Sequence, residues 1–359
     1  MTKLSKPIGI IKGEGIGPEI VPIAVECLTE AVKLQNKEPV FIEYTGPAPA
    51  TEYSETAYQK LKEFYKDIKS KNGCILRSAV YARTVYNLRA DFNLTIKPVS
   101  FEPIPELLES ALLRKELVEK FKVLLIRENA HGLLFSKEKI VQENGQRVMH
   151  GSYTYEENKI KELVKFAFEK ASQRRKILHL FIKGDVWQKL GPLWFDAAEY
   201  FGKKHPDVKF EWDHADTAFA DMLLHPQKYD VVIALGIAGD LICDPLATLL
   251  YGNHTVVPSA NISPDGFTVF QTVHGTAYAI GGQDKANPIG LIRASSLMLE
   301  SFFGMKKEAD LIEKAIRNAL AKKFRTIDLY HPQLSHKLVG TKEMGRLIVE
   351  EIKNEVSNA

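Results

Sequence analysis

The sequence predicts an α/β protein. Short apolar runs of strand length alternate with longer amphipathic runs of helical period. A glycine-rich turn follows the first apolar run, as where a strand feeds a helix. A length of 359 residues allows one large domain or two medium ones.

The elements follow in order. IGIIKG (8–13) reads as the first strand. GEGIGPE (13–19) comes next. Gly15 and Gly17 permit a tight turn, and Pro18 suits the first helical position. Such a turn can cradle a phosphate. It lacks the third glycine of the G-x-G-x-x-G fingerprint and an obvious acid downstream, so it reads equally as a plain turn. Further strands are expected at 123–128, 177–183, 208–214 and 230–235, and helices at 18–35, 160–176, 192–205 and 309–323. GQRVMHGSYTYEE (145–157), with alternating polarity, reads as a hairpin or arm. No internal repeat or linker marks a domain boundary.

Composition narrows the function. Apolar residues make up 45% and charged residues 26%, enough for a sizeable core in an ordinary globular chain. The net charge is +3 and no basic block carries interleaved aromatics, so nucleic acid is not expected as a partner. No uncharged apolar stretch is long enough for a membrane span, and the N-terminus is not a signal peptide. Cys27, Cys74 and Cys243 are odd in number and far apart, which fits reduced thiols in a cytoplasmic compartment.

Two segments carry chemistry. In YDVVIALGIAGDLICDPLATLLYGN (229–253) a buried-strand pattern runs into a helix that places Asp240 and Asp244 four residues apart on one face. Like charges at that spacing repel, and a hard divalent cation reverses the sign because it prefers carboxylate oxygen. The competing reading is a solvated helix N-terminus, where acids suit the dipole. HGTAYAIGGQDKANP (274–288) is a long loop of small residues. Its backbone and His274 can approach a flat polar ligand; otherwise it is a structural crossover.

GEGIGPE (13–19), LRADFNLTIKPV (88–99), VLLIRENAHG (123–132), KFAFEKASQRRKILHLFIKGDV (165–186), GDLICD (239–244), PSAN (258–261), the 274–288 loop and TIDL…GTKEMGRLI (326–348) occur in this order. None is specific alone. Together they resemble the β-decarboxylating dehydrogenases, the isocitrate and 3-isopropylmalate dehydrogenase family, from about residue 8 to 352. The resemblance implies a two-domain isopropylmalate-dehydrogenase-like α/β fold, distinct from the Rossmann fold, with a protruding dimerisation arm. Residues 1–92 and 250–359 would form the large domain with the nucleotide loop. Residues 93–249 would form the small domain with the metal and substrate residues.

The implied reaction is metal-dependent, NAD- or NADP-linked oxidative decarboxylation of a carboxylated 2-hydroxy acid. Asp216, Asp240 and Asp244 match the family's Mg²⁺ or Mn²⁺ ligands, Asp216 coming from the partner subunit of a homodimer with shared sites. Lys183 matches the general base, with Asp185 where the family has asparagine; the competing reading is a surface lysine at a strand end. Of three arginines that hold the substrate carboxylates, Arg127 matches one, Lys97 stands at the second and Asn87 at the third. Arg83, one turn before Asn87, either replaces the missing arginine or is solvated. The tyrosine that protonates the enolate counts to Leu134, and His131, Tyr153 and Tyr155 are the substitutes at hand. Specificity positions align with Val80, Tyr81 and Arg83, which match neither standard substrate. His274, Gly275, Thr276, Ala277 and Asn287 match the nucleotide site. Ala279 and Ile280 stand where the residues that discriminate NAD from NADP are found. The alternative is a non-catalytic or regulatory homologue, or a decarboxylase without redox chemistry.

Overall fold

The computed structural model describes residues 1–47 and 53–357. Its strands are β1 (Thr2–Lys3), β2 (Ile8–Ile11), β3 (Lys37–Glu38), β4 (Phe41–Glu43), β5 (Cys74–Arg77), β6 (Ile96–Phe101), β7 (Val123–Glu128), β8 (Lys137–Glu143), β9 (Gln146–Ser152), β10 (Ile177–Phe181), β11 (Lys209–Asp213), β12 (Val231–Ala234), β13 (Pro258–Ile262), β14 (Thr268–Thr272), β15 (Phe324–Arg325) and β16 (Lys337–Leu338). Its helices are α1 (Gly17–Val32), α2 (Glu55–Ser70), α3 (Ala82–Asp91), α4 (Lys115–Val118), α5 (Glu157–Ser172), α6 (Leu190–Gly202), α7 (Ala215–Leu224), α8 (Gly236–Tyr251), α9 (Ile289–Ser301), α10 (Lys306–Ala321) and α11 (Thr341–Ser357).

Ten strands form one sheet in the order β11-β10-β12-β7-β6-β13-β14-β5-β2-β4. Both flanks are parallel. The centre is antiparallel, through β7–β6, β6–β13 and β13–β14. Side chains alternate between the faces, as strand geometry requires. Leu178, Leu180, Val231 and Ile233 meet α5 and α6 on one face. Phe181, Val232 and Ala234 join a longer core on the other, with α1 and α8 to α11. The first face carries a second cluster, where α2 covers Ile11, Ile75 and Val269. The chain is thus three layers, helices on both faces of a mixed sheet.

The expected strands and helices are present with ends shifted by a few residues. The arm extends further toward the N-terminus than the sequence reading placed it. It is the hairpin β8–β9, closed by Asn144–Gly145, both with positive φ, and paired from Lys137↔Ser152 to Glu143↔Gln146. β8 escaped notice because KEKIVQE carries four charges and no apolar face. The hairpin is largely solvent-exposed on both faces. No described helix is long and apolar enough to cross a membrane.

Candidate active site

The carboxyl ends of β5, β7 and β14 and the amino end of β6 meet at a cavity of about 220 Å³. Ligands of open α/β sheets bind at such strand ends. The lining is dominated by four basic side chains: Arg77, Arg89, Lys97 and Arg127. All four are buried. Among the described residues, Asp240 is the only acidic one that lines the cavity with them.

Each cation has a local origin. Arg77 ends β5, and its Nη2 donates to Gln271 Oε1 on β14. Lys97 and Arg127 come from β6 and β7. Arg89 belongs to α3, which turns Ala82, Val85, Tyr86 and Arg89 toward the cavity. That spacing of three, four and seven residues is one helix face. Arg83 and Asn87 lie on another. Arg83 is exposed, and Asn87 Nδ2 donates to Tyr53 Oη at 3.4 Å. Neither lines this cavity. Sequence counting missed Arg77, Tyr86, Arg89 and Gln271. Arg89 lies inside the LRADF motif, two residues after Asn87.

The cluster is electrostatically strained. Arg127 Nη1 donates to Asp240 Oδ1, while its Nε and Nη2 are buried without hydrogen-bond partners among the described residues. The same holds for Arg77 Nε and for Arg89 Nε and Nη1. Burial, then the Arg127 charge, pushes Arg89 down to about 10. Burial, then Arg127 and Arg89, pushes Lys97 down to about 7. Buried donors without acceptors cost roughly 1–3 kcal/mol each, more when charged. An anionic ligand removes that cost, so the cavity fits a carboxylate-rich molecule.

The acidic residues fall into two groups. Asp240 and Asp244 are on the second and third turns of α8. Gly239 lets this helix pass over Arg127, since a β-carbon there would lie 2.8 Å from Arg127 Cγ. Burial lifts the Asp244 carboxyl above its usual range. Asp216, at the start of α7, pairs instead with Lys183 at 2.6 Å, and Lys183 holds its carboxyl below the usual range. Asp185 pairs with His214 Nε2 at 3.1 Å. Neither Lys183 nor Asp216 lines the cationic cavity. Among the described residues no three His, Cys, Asp or Glu side chains gather closely enough to hold a metal ion. Two carboxylates one helical turn apart nevertheless suit a hard divalent cation as part of its oxygen shell.

His274 and Gly275 line the same cavity. His274 Nδ1 is 3.0 Å from Gly275 O, and Nε2 is buried without a partner among the described residues. Burial pushes this imidazole below its usual pKa. An imidazole nitrogen left without a partner can meet a polar ligand atom. Thr276 O accepts from Ile16 N at 3.0 Å. Gly15, at φ +57°, makes room for that contact, because a β-carbon would sit 1.9 Å from Thr276 O. The GEGIGPE turn therefore buttresses the loop. Ala277 takes a left-handed conformation, and Tyr278 Oη donates to Glu14 Oε2. Asn287 is engaged within the protein: Nδ2 donates to Asp328 Oδ2 at 3.1 Å, and Oδ1 accepts from Ile289 N at 3.0 Å.

None of the three expected substitutes for the tyrosine lines the cavity. His131 Nδ1 is held by Glu128 Oε1 at 3.0 Å. Tyr155 Oη sits over Gly132, and burial raises its pKa. Tyr153 is exposed after the hairpin.

The family model for isocitrate/isopropylmalate dehydrogenase matches residues 7–348. The chain is 30% identical to the 3-isopropylmalate dehydrogenase of Helicobacter hepaticus, over 97% of this chain and 100% of the relative. It is 31% identical to the chloroplastic 3-isopropylmalate dehydrogenase 1 of Arabidopsis thaliana, over 97% and 87% respectively. Its fold is shared by the crystal structure of isocitrate dehydrogenase from Methylococcus capsulatus, with a TM-score of 0.81, 22% identity, and coverage of 98% of this chain and 100% of that one. On the whole-chain family match and these identities, the chain belongs to the isocitrate/isopropylmalate dehydrogenase family.

Proposed function

We propose that this chain is a metal-dependent, NAD- or NADP-linked dehydrogenase that oxidises and decarboxylates a carboxylated 2-hydroxy acid. The observation that carries the reading is the set of buried cations Arg89, Lys97 and Arg127, the two guanidiniums under-satisfied, beside the Asp240–Asp244 helix and His274. Such a site holds a small polyanion in one orientation, and only charge-assisted hydrogen bonds offset so much buried positive charge.

Asp240 and Asp244, completed by Asp216, would hold Mg²⁺ or Mn²⁺, which would supply Lewis-acid polarisation of the hydroxyl oxygen. His274, Gly275, Thr276 and Ala277 would form the nucleotide side, with Asn287 shaping the loop from below. Arg89, Lys97 and Arg127 orient the carboxylates, and Lys183 takes the hydroxyl proton. Because Lys183 and Asp216 form their own pair away from the cavity, the reading needs a second copy of the chain. Each site then joins Asp240 and Asp244 of one copy to Lys183 and Asp216 of the other. Exposed apolar side chains support a homodimer: Ile237 and Leu241 on α8, Leu133 beside it, and Ile140 and Met149 on the hairpin. The division into 1–92 with 250–359 and 93–249 belongs to the same reading, and the separate core under α5 and α6 supports it.

Leu134 favours the alternative of a non-catalytic homologue, since leucine exchanges no proton. The deciding experiment offers NAD⁺ or NADP⁺, Mg²⁺ or Mn²⁺ and a panel of malate-like, isocitrate-like and isopropylmalate-like acids. Nucleotide reduction that disappears with Asp240→Asn and with Lys183→Ala is expected. Silence across the panel, with acid binding retained in calorimetry, overturns the dehydrogenase reading.

A further inference from the structure

With Leu134 in the tyrosine's place, the site still needs a proton donor. We propose that Tyr86, on the neighbouring helix, delivers the proton to the decarboxylated substrate; this rests on the dehydrogenase reading above. Tyr86 is the only phenol among the described residues lining the cationic cavity. It sits on α3 one turn before Arg89, with the Arg89 Cζ 4.8 Å from its ring centroid. Its other neighbour is Phe135, at 5.3 Å between centroids, the residue directly after Leu134. The ring is therefore clamped between a guanidinium and the segment that lacks the acid.

The step balances. Loss of CO₂ leaves an enolate with its electron pair shared between C3 and the C2 oxygen. The Tyr86 O–H bond breaks, the pair forms a new C3–H bond, and the C2 oxygen returns to a carbonyl. Tyr86 is left as a phenolate whose ring centroid lies 4.8 Å from the Arg89 Cζ. Water then returns the proton to the phenolate. The competing groups are placed elsewhere: His131 is tied to Glu128, Tyr155 lies over Gly132, and Tyr153 is exposed. Lys97 faces Arg127 and is used in holding a carboxylate.

Tyr86→Phe keeps the ring, its packing on Phe135 and its stack on Arg89, and removes only the hydroxyl. The test runs wild type, Tyr86→Phe and Tyr86→Phe/Leu134→Tyr in D₂O, following nucleotide reduction and the stereochemistry of deuterium at C3. Wild type is expected to place deuterium on one face. Tyr86→Phe should keep an initial burst of reduced nucleotide and a KM within about twofold, while steady turnover falls by roughly 10²-fold or more. Its product should carry deuterium on both faces, because the enol is protonated in solvent. Leu134→Tyr in that background should restore part of the rate and the facial selectivity. Unchanged turnover and selectivity in Tyr86→Phe overturns the proposal alone. A wild type that reduces no nucleotide and decarboxylates no β-keto acid overturns the dehydrogenase reading and the proposal with it.

Discussion

Lys97 and Arg127 are direct partners across the antiparallel β6–β7 pair, so two cations face each other in register at the sheet's carboxyl edge. Like charges directly opposite are destabilising. Burial and the neighbouring guanidinium charges bring the Lys97 ammonium from 10.5 to about 7. Between those values the unfolded chain binds a proton that the folded chain does not. Stability of the ligand-free protein therefore rises with pH across that window, by at most about 1.4 kcal/mol per unit. Thermal melts of the metal-free protein should show this slope above about pH 7, and Lys97→Met should flatten it. A bound carboxylate favours the charged lysine, so affinity for a dicarboxylate should weaken as pH rises through the same range. Equal slopes in wild type and Lys97→Met would show that the lysine is not held in this environment.

Arg89 replaces charge that position-by-position matching does not find. Its Nε and Nη1 are buried and unpartnered among the described residues, so they are ready for a carboxylate. Arg89→Met should raise KM by about 10–100-fold, the value of one charge-assisted bond of roughly 1.5–3 kcal/mol. Arg89→Lys should recover little of it, because the planar fork is lost. Arg83→Ala should leave KM within about twofold, since that side chain is exposed on another face of α3. Initial-rate kinetics on the three variants decide the matter.

The sequence exposed the strands whose apolar runs stand clear, such as those at Ile8–Ile11 and Val231–Ala234. It did not expose β6, β13 or β14, because Lys97, Ser100, Asn261 and Gln271 interrupt their hydrophobic pattern. Those interruptions mark the centre of the sheet, and two of them, Lys97 and Gln271, line the cavity. Asp240 and Asp244 were legible from helical spacing alone. Arg89 was not, because the link from α3 to β6 is a tight turn with Asn93 in the left-handed region, and counting cannot sense its length. Tyr86 was hidden for a related reason: which helix face meets the cavity depends on packing that no local pattern records.

Asp240 and Asp244 repel each other on α8, and burial, with the Asp240 charge adding to it, lifts the Asp244 carboxyl above its usual range. Removing that charge should relieve the metal-free fold while disabling the ion site. Asp244→Asn is expected to melt at or above wild type without metal and to lose the stabilisation that Mn²⁺ gives wild type. Scanning calorimetry with and without Mn²⁺ tests both parts. An undiminished Mn²⁺ shift in the variant would remove Asp244 from the ligand set.

Lys183 and Asp216 hold each other at 2.6 Å, while Arg127 is committed to Asp240. If one site draws on both groups across a two-fold axis, two inactive variants complement each other. Lys183→Ala keeps Asp240, and Asp240→Asn keeps Lys183. Random mixing after denaturation and refolding gives about half mixed dimers, each with one intact site of two, because an isologous pairing exchanges the two halves equally. Activity should recover to about one quarter of wild type. Homodimers of either variant stay inactive, so any recovered turnover belongs to mixed dimers. No recovery, with mixed dimers verified by mass spectrometry, means that each copy builds its site alone and removes the shared site.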